Sequence, residues 1–159
     1  MLTSPEKRIS PKALKVWKIY GAILSFIVFA LSIAATVAVF LLDLPKWIIP
    51  ILVVVDICFF LIAVFFVPKI RWERWRYELR EQEIELQHGL FVVKRTLIPI
   101  IRVQHVDTNQ GPIMKKYRLA SVVISSAATT HEIPALDEDE AEELRKTISY
   151  LVRVVREDV

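Results

Sequence analysis

The chain has 159 residues, 54% of them hydrophobic and 25% charged, with three glycines, one cysteine and a formal net charge of +3. A single cysteine excludes an intrachain disulfide and any zinc site built on several thiolates. Glycine only at 21, 89 and 111 excludes dinucleotide-binding, Walker A and nucleophile-elbow loops.

Residues 1–18 form a basic segment, with Lys7, Arg8, Lys12, Lys15 and Lys18 against Glu6. Residues 19–42 are then an uncharged run of 24. After Asp43-Leu44-Pro45-Lys46 a second apolar run covers 47–67, its only ionisable side chains being Asp56 and Cys58. Each run reaches the roughly 20 residues needed to cross a hydrocarbon core of about 30 Å. Neither has a polar face, and the first is too long for the apolar part of a cleaved signal peptide. Residues 19–67 are therefore predicted to be a two-helix transmembrane hairpin.

Residues 68–76 are again basic and rich in tryptophan. Both outer ends of the hairpin carry excess Lys and Arg while its loop nets zero, so the positive-inside rule predicts a multi-pass protein with both termini cytoplasmic. Lys69, Arg71, Trp72, Arg74, Trp75 and Arg76 are the expected juxtamembrane anchor to anionic headgroups. Trp17, Tyr20 and Trp47 fall at the other interfacial positions.

Residues 77–159 carry 11 Lys and Arg against 14 Asp and Glu. The positive charge is thus a property of the membrane flanks, which argues against a nucleic-acid partner. Here the periodicity changes to two. Trp75, Tyr77 and Leu79 alternate with charged residues, as do Ile84 and Leu86, which predicts half-buried strands joined by Arg80-Glu81-Gln82. His88-Gly89 reads as a turn into a strand over 90–96, ended by Pro99. A strand over 101–107, a turn-rich loop over 108–112, and strands over 121–127 and 130–133 follow. Asp137 with Glu140 three positions on has the form of a helix cap. Ala141, Leu144, Ile148, Leu151, Val152 and Val155 then give one apolar helical face. The pattern predicts a small barrel or bent sandwich closed by an amphipathic C-terminal helix.

The stretches IPIIRVQHVDTNQGP (98–112), KKYRLASVVIS (115–125) and HEIPAL (131–136) resemble the bacterial pleckstrin-homology-like membrane proteins of the YdbS type. The resemblance spans nearly the whole chain and implies a cytoplasmic domain of about seven strands in a pleckstrin-homology barrel. It also implies a bacterial cytoplasmic membrane, a larger multi-spanning partner carrying several such domains, and a role in protection against membrane-active bacteriocins or in their export. One departure is Arg118, which stands where a turn-forming Gly or Asn is expected.

Asp56 lies nine positions into the second run, about 13 Å deep at 1.5 Å per residue. An ionisable group at mid-bilayer faces protein or is neutralised. Folding the hairpin brings Ser32 and Thr36 to similar depth, as candidate partners. Ala30, Ala34 and Ala38 form a small-residue row suited to close helix contact, either as the hairpin seam or between chains. Lys94, Arg95, Lys115, Lys116 and Arg118 are candidate contacts for lipid or an acidic partner, against a reading as solvated surface. Arg80-Glu81-Gln82-Glu83, the position of a phosphoinositide-binding loop, has an acidic surround. His88, His105 and His131 have no metal-ligand spacing, and Ser121, Ser125 and Ser126 lie in a strand. No cofactor, metal or catalytic site is expected. The expected function is a membrane-anchored interaction module. The alternatives are a transport-complex subunit with Asp56 on a path between chains, and a peripheral sensor of anionic lipid.

Overall fold

A computed structural model describes residues 5–157. The chain divides into two compact units, residues 17–70 and the chain up to Val16 joined with the chain from Arg71 onward.

The first unit is a helical hairpin. Helix α1 (Ala13–Leu41) ends where Asp43 adopts a φ of 50° and the Leu44 N–H donates to the Val39 carbonyl at 2.9 Å. That left-handed cap stops the helix before Pro45. Helix α2 (Ile48–Leu61) tolerates Pro50 because a first-turn residue needs no N–H partner. It runs through a π turn (Ile62–Phe66) into α3 (Val67–Arg74). The wide turn precedes Pro68, whose ring would crowd the carbonyl of Val64 in a regular helix. Helix thus extends past both predicted spans, at Ala13 and at Arg74.

Along α1 from Gly21 onward, Gly21, Ser25, Val28, Ser32, Thr36 and Val39 lose solvent at spacings of three and four, with Ala38 half-buried beside them. On the other helix Leu52, Asp56, Phe59, Ala63 and Val67 repeat in the same way. This alternation is the seam of two nearly antiparallel helices. Val64 is buried beside them, and most of the remaining apolar side chains face outward, as with Phe26 at 72% and Leu31 at 65% exposed. The two helices are long and apolar enough to cross a membrane.

The second unit is mainly β. One sheet has the order β1-β2-β3-β4, formed by Lys7–Arg8, Arg76–Leu79, Glu83–His88 and Lys94–Pro99. A 3-10 turn (Ile100–Arg102) leads to the other, β5-β6-β7, formed by Val103–Asn109, Leu119–Ser126 and Thr130–Asp137. All pairs are antiparallel. The short α4 (Pro112–Lys116) joins β5 to β6, and α5 (Glu138–Glu157) packs on β5, β6 and β7. Tyr77, Ile84, Leu86 and Ile98 from one sheet, and Val103, Val122, Ile124 and Ile133 from the other, are buried in the core. Ala141, Leu144, Ile148 and Val152 of α5 join them, as do Ile9, Ala13 and Val16 from ahead of the first span. Among the described residues no ladder joins the two sheets.

Several sequence expectations shift. Residues 90–93 are a turn rather than the start of a strand, and the 108–112 loop is split between β5 and α4. Arg118 does take the left-handed conformation, with φ 55°, and its carbonyl accepts the Glu138 N–H at 3.0 Å. The cap residues serve tertiary contacts: Asp137 accepts from Lys12 Nζ at 2.8 Å, and Glu140 accepts from the Tyr77 hydroxyl at 2.6 Å. The IPAL segment contains a bulge at which buried Ala135 sits at φ 52°.

Ala135→Val should lower stability by about 2–4 kcal/mol, since a β-branched side chain there is both strained and overpacked. Arg118→Gly should raise it by about 0.5–1 kcal/mol by relieving an exposed left-handed residue. Denaturant unfolding of the full chain in micelles reads both.

Candidate functional site

Within the hairpin, the Ser32 hydroxyl donates to Asp56 Oδ1 at 2.9 Å. This hydrogen bond joins the two helices midway along the second apolar run. Thr36 does not share it, because its hydroxyl donates to the Ser32 carbonyl at 2.9 Å, one turn back. Ser25 behaves likewise toward Gly21, at 2.8 Å. The helices approach closely at Gly21, where an added Cβ would lie 2.3 Å from the Ala63 carbonyl oxygen. The small-residue row is not this seam: Ala30 and Ala34 are exposed and Ala38 is half-buried. The signal for Gly21 lay in its being the one glycine of either run. Beside Asp56 the hairpin opens a groove of about 400 Å³ lined by Ala22, Ser25, Phe26, Phe29, Val53 and Phe60, among others.

The juxtamembrane residues of the domain face inward more than their sequence position suggests. Trp75 is only 5% exposed and stacks on His88, with ring centroids 5.5 Å apart and 18° between planes. Trp72 donates its indole N–H to the Ser10 carbonyl at 3.2 Å and lies under the Arg8 guanidinium at 5.7 Å. Arg74 donates to the carbonyls of Leu90 and Phe91. Arg76 sits in the β1-β2-β3 ladder between Arg8 and Gln87. Arg71 is exposed by surface area, yet partial desolvation pushes it below the usual guanidinium range, opposed by the charge of Glu132. Lys69 is exposed.

The other basic candidates separate. Lys94 and Arg95 lie on β4 of the first sheet; Lys115 and Lys116 lie on α4, with Arg118 after it, beside the second. Arg95 reaches Gln87 at 3.1 Å and the buried Glu85 at 3.6 Å. Arg80 contacts Glu78, Glu83 and Glu85, each at 3.2 Å. Hydrogen bonding to Glu78 holds it above the usual range. The arginine of the β2–β3 turn is thus engaged by three carboxylates.

Ser126 and His131 are also engaged locally. Ser126 donates to the Thr129 carbonyl at 2.9 Å, and His131 Nε2 lies 3.0 Å from the Thr129 hydroxyl. No group of three metal-ligating side chains occurs among the described residues.

A family model described as Bacterial PH domain matches residues 22–152. The chain belongs to this family of bacterial PH-domain transmembrane proteins. UPF0699 transmembrane protein YdbS of Bacillus subtilis (strain 168) is 47% identical over 159 residues, covering 100% of both chains. UPF0699 transmembrane protein YdbT of the same strain is 29% identical over 83 residues, 50% of this chain and 17% of that one. No solved structure matches.

Gly21→Leu should lower the melting temperature of the helical signal in micelles by forcing α1 away from the π turn. Ala34→Leu, on the exposed row, should leave it unchanged. A second expectation concerns pH. Burial first, then Lys94, Arg71 and His131, hold His88 below its ordinary value. The stability this contributes is present above the unfolded pKa of about 6.5 and is lost as pH falls through the lower folded value. His88→Phe, which keeps a ring on Trp75, should flatten the stability profile below that pH.

Proposed function

We propose that the chain is a non-enzymatic interaction module of the bacterial cytoplasmic membrane that assembles with a larger multi-spanning protein carrying PH domains. Its role on this reading is envelope defence or self-immunity to membrane-active bacteriocins. The observation that carries the assembly is the groove at Asp56. It brings a carboxylate to the outer wall of an otherwise apolar hairpin, where Ser32 supplies one partner. A helix seated in the groove would supply others and remove the carboxylate from hydrocarbon. The exposed Ala30 and Ala34 suit close approach of such a helix.

Two further observations support the arrangement. β1 precedes the first span and β2 follows the second, so their pairing asks for both flanks on one side of the bilayer. The basic flanks favour the cytoplasmic side, which would make both termini cytoplasmic. Likeness to part of a much longer transmembrane protein supports a partner containing a related domain. The two sheets with α5 packed on one of them suit a pleckstrin-homology-like barrel, whose free strand edges and α4 would dock that domain.

The test is purification of the full chain from its own host in mild detergent. One large multi-spanning PH-domain protein should accompany it in fixed proportion, and Asp56→Leu should insert normally but lose that partner. A chain that purifies alone, or a partner retained by Asp56→Leu, removes the reading.

A further inference from the structure

The turn between β3 and β4 displays consecutive apolar side chains to solvent. Phe91 is 92% and Val92 80% exposed, and Val93 follows with its side chain about half in solvent. Consecutive large apolar residues so displayed on a soluble surface call for a covering phase. The turn is also a rigid one. Gly89 has a φ of 142°, and an added Cβ would lie 1.9 Å from the Val92 carbonyl oxygen, so the backbone folds back onto a glycine that nothing can replace. Arg74 then clamps the tip through the carbonyls of Leu90 and Phe91.

The place of this turn in the chain says what covers it. β3 is antiparallel to β2, with Gln87 opposite Arg76, so the turn overhangs the start of β2, where the chain enters the domain. Arg74 itself lies only seven residues beyond Val67, the last residue of the second apolar run, so the connecting chain reaches at most about 25 Å. Lys94 is exposed directly after the tip, and Arg76 is level with its base. An apolar tip flanked by cations and held by a residue only seven positions along the chain from an apolar run has the chemistry of the boundary between headgroups and acyl chains.

We propose that Leu90–Val93 is a membrane-dipping turn, inserting Phe91 and Val92 into the anionic leaflet from which the spans emerge and so setting the domain's orientation on the bilayer. The inference rests on the chain's anchoring in the membrane but not on the assembly with a partner. Its failure is therefore distinct from failure of that assembly.

The test uses the full chain with Cys58→Ser and single nitroxide-labelled cysteines at Phe91, Val92, Glu81 or Ala128, in nanodiscs of phosphatidylcholine with and without phosphatidylglycerol. Collision with oxygen should dominate over collision with a water-soluble nickel complex at positions 91 and 92, and the reverse should hold at 81 and 128. Immersion should be deeper in the discs containing phosphatidylglycerol. Labels at 91 and 92 as accessible to nickel as the label at 81 overturn the proposal. Labels hidden from both agents report a protein contact and overturn it equally. Unchanged circular dichroism of each variant certifies the fold in which the depths are read.

Discussion

The pairing of Lys7 and Arg8 with Tyr77 and Arg76 holds the domain together across the whole hairpin. It closes a loop of almost seventy residues, yet loop-closure entropy grows only slowly with length, and an antiparallel hairpin already brings its own ends together. Once the two flanks meet, the N-terminal segment is fastened along its length. The Ser10 N–H donates to the Ala135 carbonyl at 3.2 Å, the Ser10 carbonyl accepts from Trp72, and Lys12 holds Asp137. Ile9, Ala13 and Val16 then fill the core. Segments separated in sequence by two spans are therefore one folding unit, and the domain is incomplete without residues that precede the membrane region.

Long-period features were legible beforehand because each is a local consequence of composition. The two apolar runs, the face of α5 from Ala141 to Val152, and the alternation over 76–79 and 83–87 need no tertiary information. The turn at 118 was expected only from the resemblance, as a place for Gly or Asn, and the structure keeps the left-handed backbone there with Arg118. β1 was not legible: two exposed charged residues have no hydrophobic period, and only their partner makes them a strand. The 90–93 turn was misread for the converse reason. Leu-Phe-Val-Val has strand composition, and the deciding feature is the backbone conformation of Gly89, which composition does not encode.

The seam of the hairpin shows the same limit at the candidate site. Two small-residue rows exist on α1, one through Ala30 and Ala34 and one through Gly21 and Ser25, and spacing alone ranks them equally. The position of Asp56 breaks the tie. Its carboxylate needs a hydroxyl at matching depth, Ser32 provides one, and the face that carries Ser32 also carries Ser25 and Gly21. Thr36 is on that face too, but a helical threonine can satisfy itself on the preceding turn, and here it does so.

The cations divide by chemistry rather than by position. Arginines are consumed by structure: Arg74 spans two carbonyls, Arg80 meets three carboxylates, Arg95 reaches Glu85, and Arg145 reaches Glu142. A planar fork can serve several acceptors at once and is weakly hydrated, which suits it to these half-buried junctions. Lys69, Lys94, Lys115 and Lys116 remain exposed, with strongly hydrated ammonium groups on flexible stems. Arg118 is exposed as well, held by its backbone rather than its side chain. The basic residues that sequence position groups together thus do two jobs. Arg74 holds the apolar turn at Phe91 through its backbone carbonyls, and Lys94 follows the tip as exposed charge.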